Sequence, residues 1–166
     1  MRALRLTLTL LCLGFMLVPA TLVLSISADH TIIAVIVAKN APHRRLTQDA
    51  LARVFLRQQI LWENRDPILP VNLEASNPLR RLFSERALKL DPEDLDGYWN
   101  DQYFHGIFPP YVLASEEAVL RFVAASPQAI GYVSACMVDQ RVRAVAYLTP
   151  NGLRMDGDPA RFCPPR

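Results

Sequence analysis

Ser76, Asn77 and Arg80 bring a hydroxyl, a carboxamide and a guanidinium into five residues, and Arg81 adds a second positive charge. Groups of these kinds hold anions through charge-assisted hydrogen bonds. Ser76 reads as a helix N-cap, its oxygen accepting from a free amide of the first turn. Pro78 suits that turn, where a missing N–H costs little. Leu79, Leu82, Phe83, Ala87 and Leu90 recur at helical spacing and define a buried face, which leaves Arg80 toward solvent. The apolar run Ile68–Leu73 before the turn reads as a strand. A strand feeding a helix N-terminus aims unpaired amides and the positive dipole end at one spot, which suits an anion. The same residues also fit an ordinary strand–loop–helix connection.

Other chemistry finds little support. His30, His43 and His105 are scattered without metal-ligand spacing, and neither Cys-x-x-Cys nor His-Glu-x-x-His occurs. No Gly-x-Ser-x-Gly elbow is present, so a serine hydrolase is not indicated. Asp91, Glu93, Asp94 and Asp96 gather at one helix start, where the dipole and solvation account for them. Tyr98-Trp99-Asn100 and Gln102-Tyr103-Phe104 mix rings with polar groups and could serve either the core or a partner. The reading is of a protein that is not an enzyme and needs no cofactor or metal.

The N-terminus has a separate character. Arg2 and Arg5 precede the apolar run Leu6–Ile26, broken by Gly14 and Pro19, and small residues follow at Ser25, Ser27 and Ala28. This is the layout of a secretory signal peptide over residues 1–28, cleaved after Ala28 or Ser27, with Ala20 as another position. An uncleaved N-terminal membrane anchor is the alternative, because the run approaches a membrane span in length. The expected location is periplasmic or secreted. Cleavage would remove Arg2 and Arg5 from 18 basic residues and none of the 16 acidic ones, so the charges balance. The basic precursor is therefore no argument for nucleic acid. Cys136 and Cys163 would remain, and could form a disulfide in that compartment or stay separate thiols.

Residues 29–150 alternate strand and helix signals. Thr31–Ala38 is a β-branched run of the kind covered on both faces. Thr47 caps a helix through Leu56, with Ala50, Leu51, Val54 and Phe55 inward. Strand Ile68–Leu73 and helix Pro78–Leu90 follow. Asp91 opens another helix, with Leu95, Tyr98, Trp99 and Gln102 on one face. Tyr111–Ala114 is a short apolar segment, Ser115 caps a further helix, and Ala129–Ser134 and Val142–Leu148 read as strands. Residues 151–166, rich in Gly, Pro and Asp, read as a flexible tail. The order predicts one α/β domain without repeats or linkers.

These signals resemble a lobe of the phosphate-type periplasmic solute-binding proteins, the substrate-binding components of ABC transporters. Val35–Pro42 resembles that family's V-N-K-x-N-P segment, and Leu46–Leu56 its L-T-x-x-x-L-x-x-I-F-L-G helix, with Trp62 matching a later tryptophan. Ile68–Phe83 is similar to its strand–loop–helix with ligand contacts, and Ala129–Val133 to its G-A-I-G-Y strand. The resemblance implies a single three-layer periplasmic-binding-protein-like lobe with a mixed, mostly parallel sheet. It also implies a ligand set of Ser76, Asn77, Arg80, Asn40 and Tyr132, a small oxyanion such as phosphate, and a membrane permease or envelope sensor as partner. Two departures stand out. Arg57 replaces the glycine after F-L, and Asn72–Asn77 lacks the glycines of R-x-S-G-S-G-T and carries Glu74. A full binding protein of this type closes two lobes on its ligand and is about twice as long. The alternative is an envelope interaction or signalling module on the same fold, its ligand site lost, docking through the Trp99–Phe108 surface.

Overall fold

The computed structural model describes residues 31–42 and 46–163. The leader, its cleavage position, Cys12, His30 and His43 lie outside the described residues. Ten regular elements follow in order: β1 (Ile33–Ala38), α1 (Gln48–Phe55), β2 (Leu69–Leu73), α2 (Pro78–Phe83), α3 (Pro92–Phe104), β3 (Tyr111–Leu113), α4 (Glu116–Ala125), β4 (Ala129–Ser134), β5 (Val142–Thr149) and β6 (Gly152–Arg154). The six strands form one sheet in the order β3-β2-β4-β1-β5-β6.

The sheet is mixed, as expected, and four of its six strands, β2, β3, β4 and β5, run in one direction. β2 runs parallel to β3 and β4, whereas β1–β4, β1–β5 and β5–β6 are antiparallel. Parallel neighbours need a helical crossover, and α2 through α4 supply it for β2, β3 and β4 only. β5 instead follows β4 by a short connection across β1, and β6 follows β5 by a tight turn.

β1 is buried at every position, as its continuous apolar run requires. β4 shows how the layers are built. Tyr132 points to one face, where it meets Phe55 of α1 and Phe83 of α2. Gly131 points to the other, against Val119 and Val123 of α4. A Cβ on Gly131 would come within 2.7 Å of Val119 and 2.8 Å of Val71, so only glycine lets α4 lie this close to the sheet. Helices thus cover both faces, giving three layers.

Local signals set most boundaries. Thr47 and Ser115 cap α1 and α4 by accepting from Ala50 and Ala118 amides at 3.2 Å. Asp91 stands at the α3 N-cap position but makes no side-chain cap bond. The helix expected over Pro78–Leu90 is α-helical only to Phe83 and widens to a π turn over Ser84–Leu88. Gln48 Nε2 donates to the Arg86 and Ala87 carbonyls at 2.9 and 3.0 Å, satisfying that turn, and Lys89 ends it at φ 59°.

The segment expected as a flexible tail is built into the domain. β6 pairs with β5, Phe162 packs on Tyr147, and Cys136 is disulfide-bonded to Cys163 with Cα atoms 5.4 Å apart. The covalent tie supplies order that composition alone does not reveal.

Candidate functional site

The carboxyl ends of β2, β3 and β4 share one edge of the sheet, the usual place for ligands in open α/β folds. At this edge the β2–α2 turn carries Glu74–Asn77, and the start of α4 lies nearby. Ser76 is exposed and is not the cap. Asn77 is: its Oδ1 accepts from the Leu79 amide at 2.9 Å, with extended backbone angles of −73° and 126°. Asn is as good a cap as Ser, and Pro78 fixes the first helical position one residue later than a Ser76 cap would need.

Arg80 does not face solvent as helical spacing suggested. It is largely buried, and its Nη1 is sealed from water with no hydrogen-bond partner among the described residues. Burial lowers the pKa of its guanidinium, with Tyr132 acting in the opposite direction. An arginine begins far above neutrality and keeps its charge. No carboxylate among the described residues pairs with it, whereas its neighbour Arg81 is exposed and bonds Glu93 at 3.0 Å.

Beside Arg80 lies a buried polar pair. Tyr132 Oη donates to Asn72 Oδ1 at 2.5 Å and accepts from the Leu73 amide at 3.4 Å. Burial pushes the Tyr132 phenol well above its ordinary range, so it stays protonated and can donate. Its ring stacks on Phe83 at 3.8 Å and 2°. Glu116 takes up the adjoining amide, accepting from Ser134 N at 2.5 Å. The chain's own carboxylate therefore already serves one donor of this edge.

The structure sets Arg80 beside Tyr132 and bonds the Arg80 amide to the Asn77 carbonyl at 3.0 Å, with Ser76 exposed on the same turn. It does not bring in Asn40. Ala38 pairs with Val142 and Val37 with Ile130, at the amino end of β4, while Ile33 pairs with Ser134 at its carboxyl end. Asn40 follows Ala38 and so sits at the opposite edge of the sheet, exposed. Sequence reasoning missed Asn72 as a contributor. The signal was there, since an amide inside the apolar strand Leu-Pro-Val-Asn-Leu must find a partner. Two cavities lie elsewhere, one at Arg154–Phe162 and one between Leu46–Gln48, Lys89 and Gly152–Met155.

A second feature lies at the far end of α3. Tyr103, Phe104, Phe108, Tyr111 and Val112 are all exposed, Phe104 at 86 %. Tyr103 makes edge contacts with Phe104 and Phe108 at 6.4 and 5.5 Å. Of the expected docking stretch, Trp99 packs on the core instead, edge-on to Tyr98. No group of His, Cys, Asp or Glu among the described residues could hold a metal ion. No helix among them is long and apolar enough to cross a membrane.

No family model matches the sequence, and no curated protein does either. Solved structures do match. An ABC-type phosphate transport receptor from Vibrio cholerae aligns over 70 % of this chain at 21 % identity and TM-score 0.57. A putative phosphate ABC transporter substrate-binding protein from Clostridium perfringens, solved with bound phosphate, aligns over 70 % at 23 % identity and TM-score 0.58. The alignments take in only 46 % and 45 % of those receptors, so the chain spans less than half of their length. The chain shares the fold of the part of these receptors that it matches.

Proposed function

We propose that the chain is an exported, non-catalytic binding domain, cleaved near Ala28, that holds a small oxyanion such as phosphate weakly at the β2–α2 edge. The carrying observation is Arg80. A guanidinium nitrogen sealed from water without an acceptor, here Nη1, costs stability, and an anion arriving at the Asn77 turn would supply the missing acceptor. Such a domain would present its ligand to a membrane permease or an envelope sensor.

The affinity is expected to be low. Each charge-assisted hydrogen bond contributes about 1–3 kcal/mol, and a charge pair in high dielectric only about 1 kcal/mol. Against these stand the exposed Glu74 carboxylate, a turn without glycine, and Glu116 already on the Ser134 amide. The balance is about 4 kcal/mol, which corresponds to about 1 mM. Calorimetric titration of the mature domain with inorganic phosphate tests this. No heat is expected in the micromolar range, and Glu74→Gly should strengthen the weak binding. A micromolar dissociation constant would mark a full receptor site and overturn the weak-site reading. Intact Met1 on cytoplasmic protein, seen by mass spectrometry, would overturn export.

The exposed rings of Tyr103, Phe104 and Phe108 favour a second reading, in which the same domain serves as an envelope interaction module.

A further inference from the structure

We infer that the surface formed by the end of α3 and by β3 is a docking face for a protein partner that is basic around an apolar centre; this rests on the interaction-module reading. Five large apolar side chains, Tyr103, Phe104, Phe108, Tyr111 and Val112, are each at least 60 % exposed within ten residues. At about 200 Å² per aromatic side chain they offer roughly 600 Å². That is at the upper end of the largest patch on a typical monomer and approaches the about 800 Å² that each partner gives to a standard interface. Single exposed apolar residues need no explanation, but rings in mutual contact do.

Charge decides between occupants. Within Pro92–Phe104 there are four acids, Glu93, Asp94, Asp96 and Asp101, and no Lys or Arg. All four are exposed; among the described residues Glu93 is held by Arg81, and Asp101 lies 4.0 Å from His105 Nδ1. Asp101 lies one turn from Phe104 and Asp96 two turns from Tyr103, so both acids flank the rings. A second copy would bring this acidic rim against itself, and an anionic bilayer would be repelled by it. A partner with Lys or Arg around an apolar centre meets both requirements. Strand addition is not needed for this. β3 has a free outer edge among the described residues, but Pro109 and Pro110 block its extension, so side chains would carry the contact.

Site-specific photocrosslinking in the native envelope tests the inference. A photoreactive amino acid replaces Phe104 or Phe108 in the full chain, with Glu63, an exposed loop residue outside the patch, as the control position. The expected result is one discrete protein adduct from positions 104 and 108 and none from 63. Mapping of the crosslinked peptide should place it beside Lys or Arg residues. Asp96→Lys with Asp101→Lys should cut adduct yield at least fivefold, with an unchanged melting midpoint showing that the fold is intact. An adduct mapped to an acidic or uncharged surface, or one insensitive to the two lysines, overturns the inference while leaving the module reading standing. Crosslinks to lipid or to a second copy overturn the inference by naming a different occupant. No adduct from either position overturns both.

Discussion

At the β2–α2 edge a charged side chain lies buried beside a tyrosine, while on the α3–β3 surface aromatic rings stand in solvent. Each region departs from ordinary burial in the opposite sense. Arg80 Nη1 forfeits water without gaining a partner among the described residues, and Phe104 forfeits the core without gaining a cover. The surroundings differ too. Arg80 lies beside Tyr132, whose ring is held in a stack with Phe83 and Phe55. Tyr103, Phe104 and Phe108 touch mainly one another. The first region therefore couples any ligand to the packing of the domain, and the second can change its contacts without disturbing the fold.

The sharpest way to break this comparison is Phe83→Ala. The ring is fully buried between Phe55 and Tyr132, and its loss should cost about 3–5 kcal/mol in denaturant unfolding. A loss below about 1 kcal/mol would mean that the stack does not hold Tyr132 in place. Tyr132→Phe should cost about 1–3 kcal/mol, because Asn72 Oδ1 would lose its buried donor. A neutral result would show water reaching Asn72.

Smaller effects separate the two polar residues of the turn. Asn77→Ala should lower stability by about 1 kcal/mol through loss of the cap, whereas Ser76→Ala should stay within about 0.5 kcal/mol. The reverse order would restore Ser76 as the cap. Smallest of all, Phe104→Ser should leave the denaturation midpoint nearly unchanged, since the ring is almost wholly exposed. A clear loss of stability there would mean that the ring packs on the domain in solution.

Much of the fold was legible because it rests on local signals. The β-branched run of β1, the Thr47 and Ser115 caps and the Ala129–Ser134 strand all appear where residue types and spacing put them. What was not legible depended on tertiary contacts. Helical periodicity turned Arg80 outward because Leu79 and Phe83 define the inner stripe. In three dimensions Arg80 lies beside the β4 tyrosine, Tyr132, and its Nη1 is sealed from water. The order of the strands was not legible, because β4 reaches β5 across β1, which no local pattern encodes. Asn40 followed a motif whose turn lies at the other edge of this sheet. The tail was misread because a disulfide joins segments 27 residues apart.

If Arg80 is the group that awaits an anion, amide chemical-shift titration with inorganic phosphate shows it most directly. The predicted result is a millimolar binding curve confined to Asn72–Arg80 and Tyr132, abolished in Arg80→Met and changed less than twofold in Ser76→Ala. Arg80→Met should at the same time fold as stably as the parent, or by up to about 2 kcal/mol more stably, because an unpaired buried charge is gone. Shifts that survive in Arg80→Met, or that centre on Ser76 and vanish in Ser76→Ala, would contradict it.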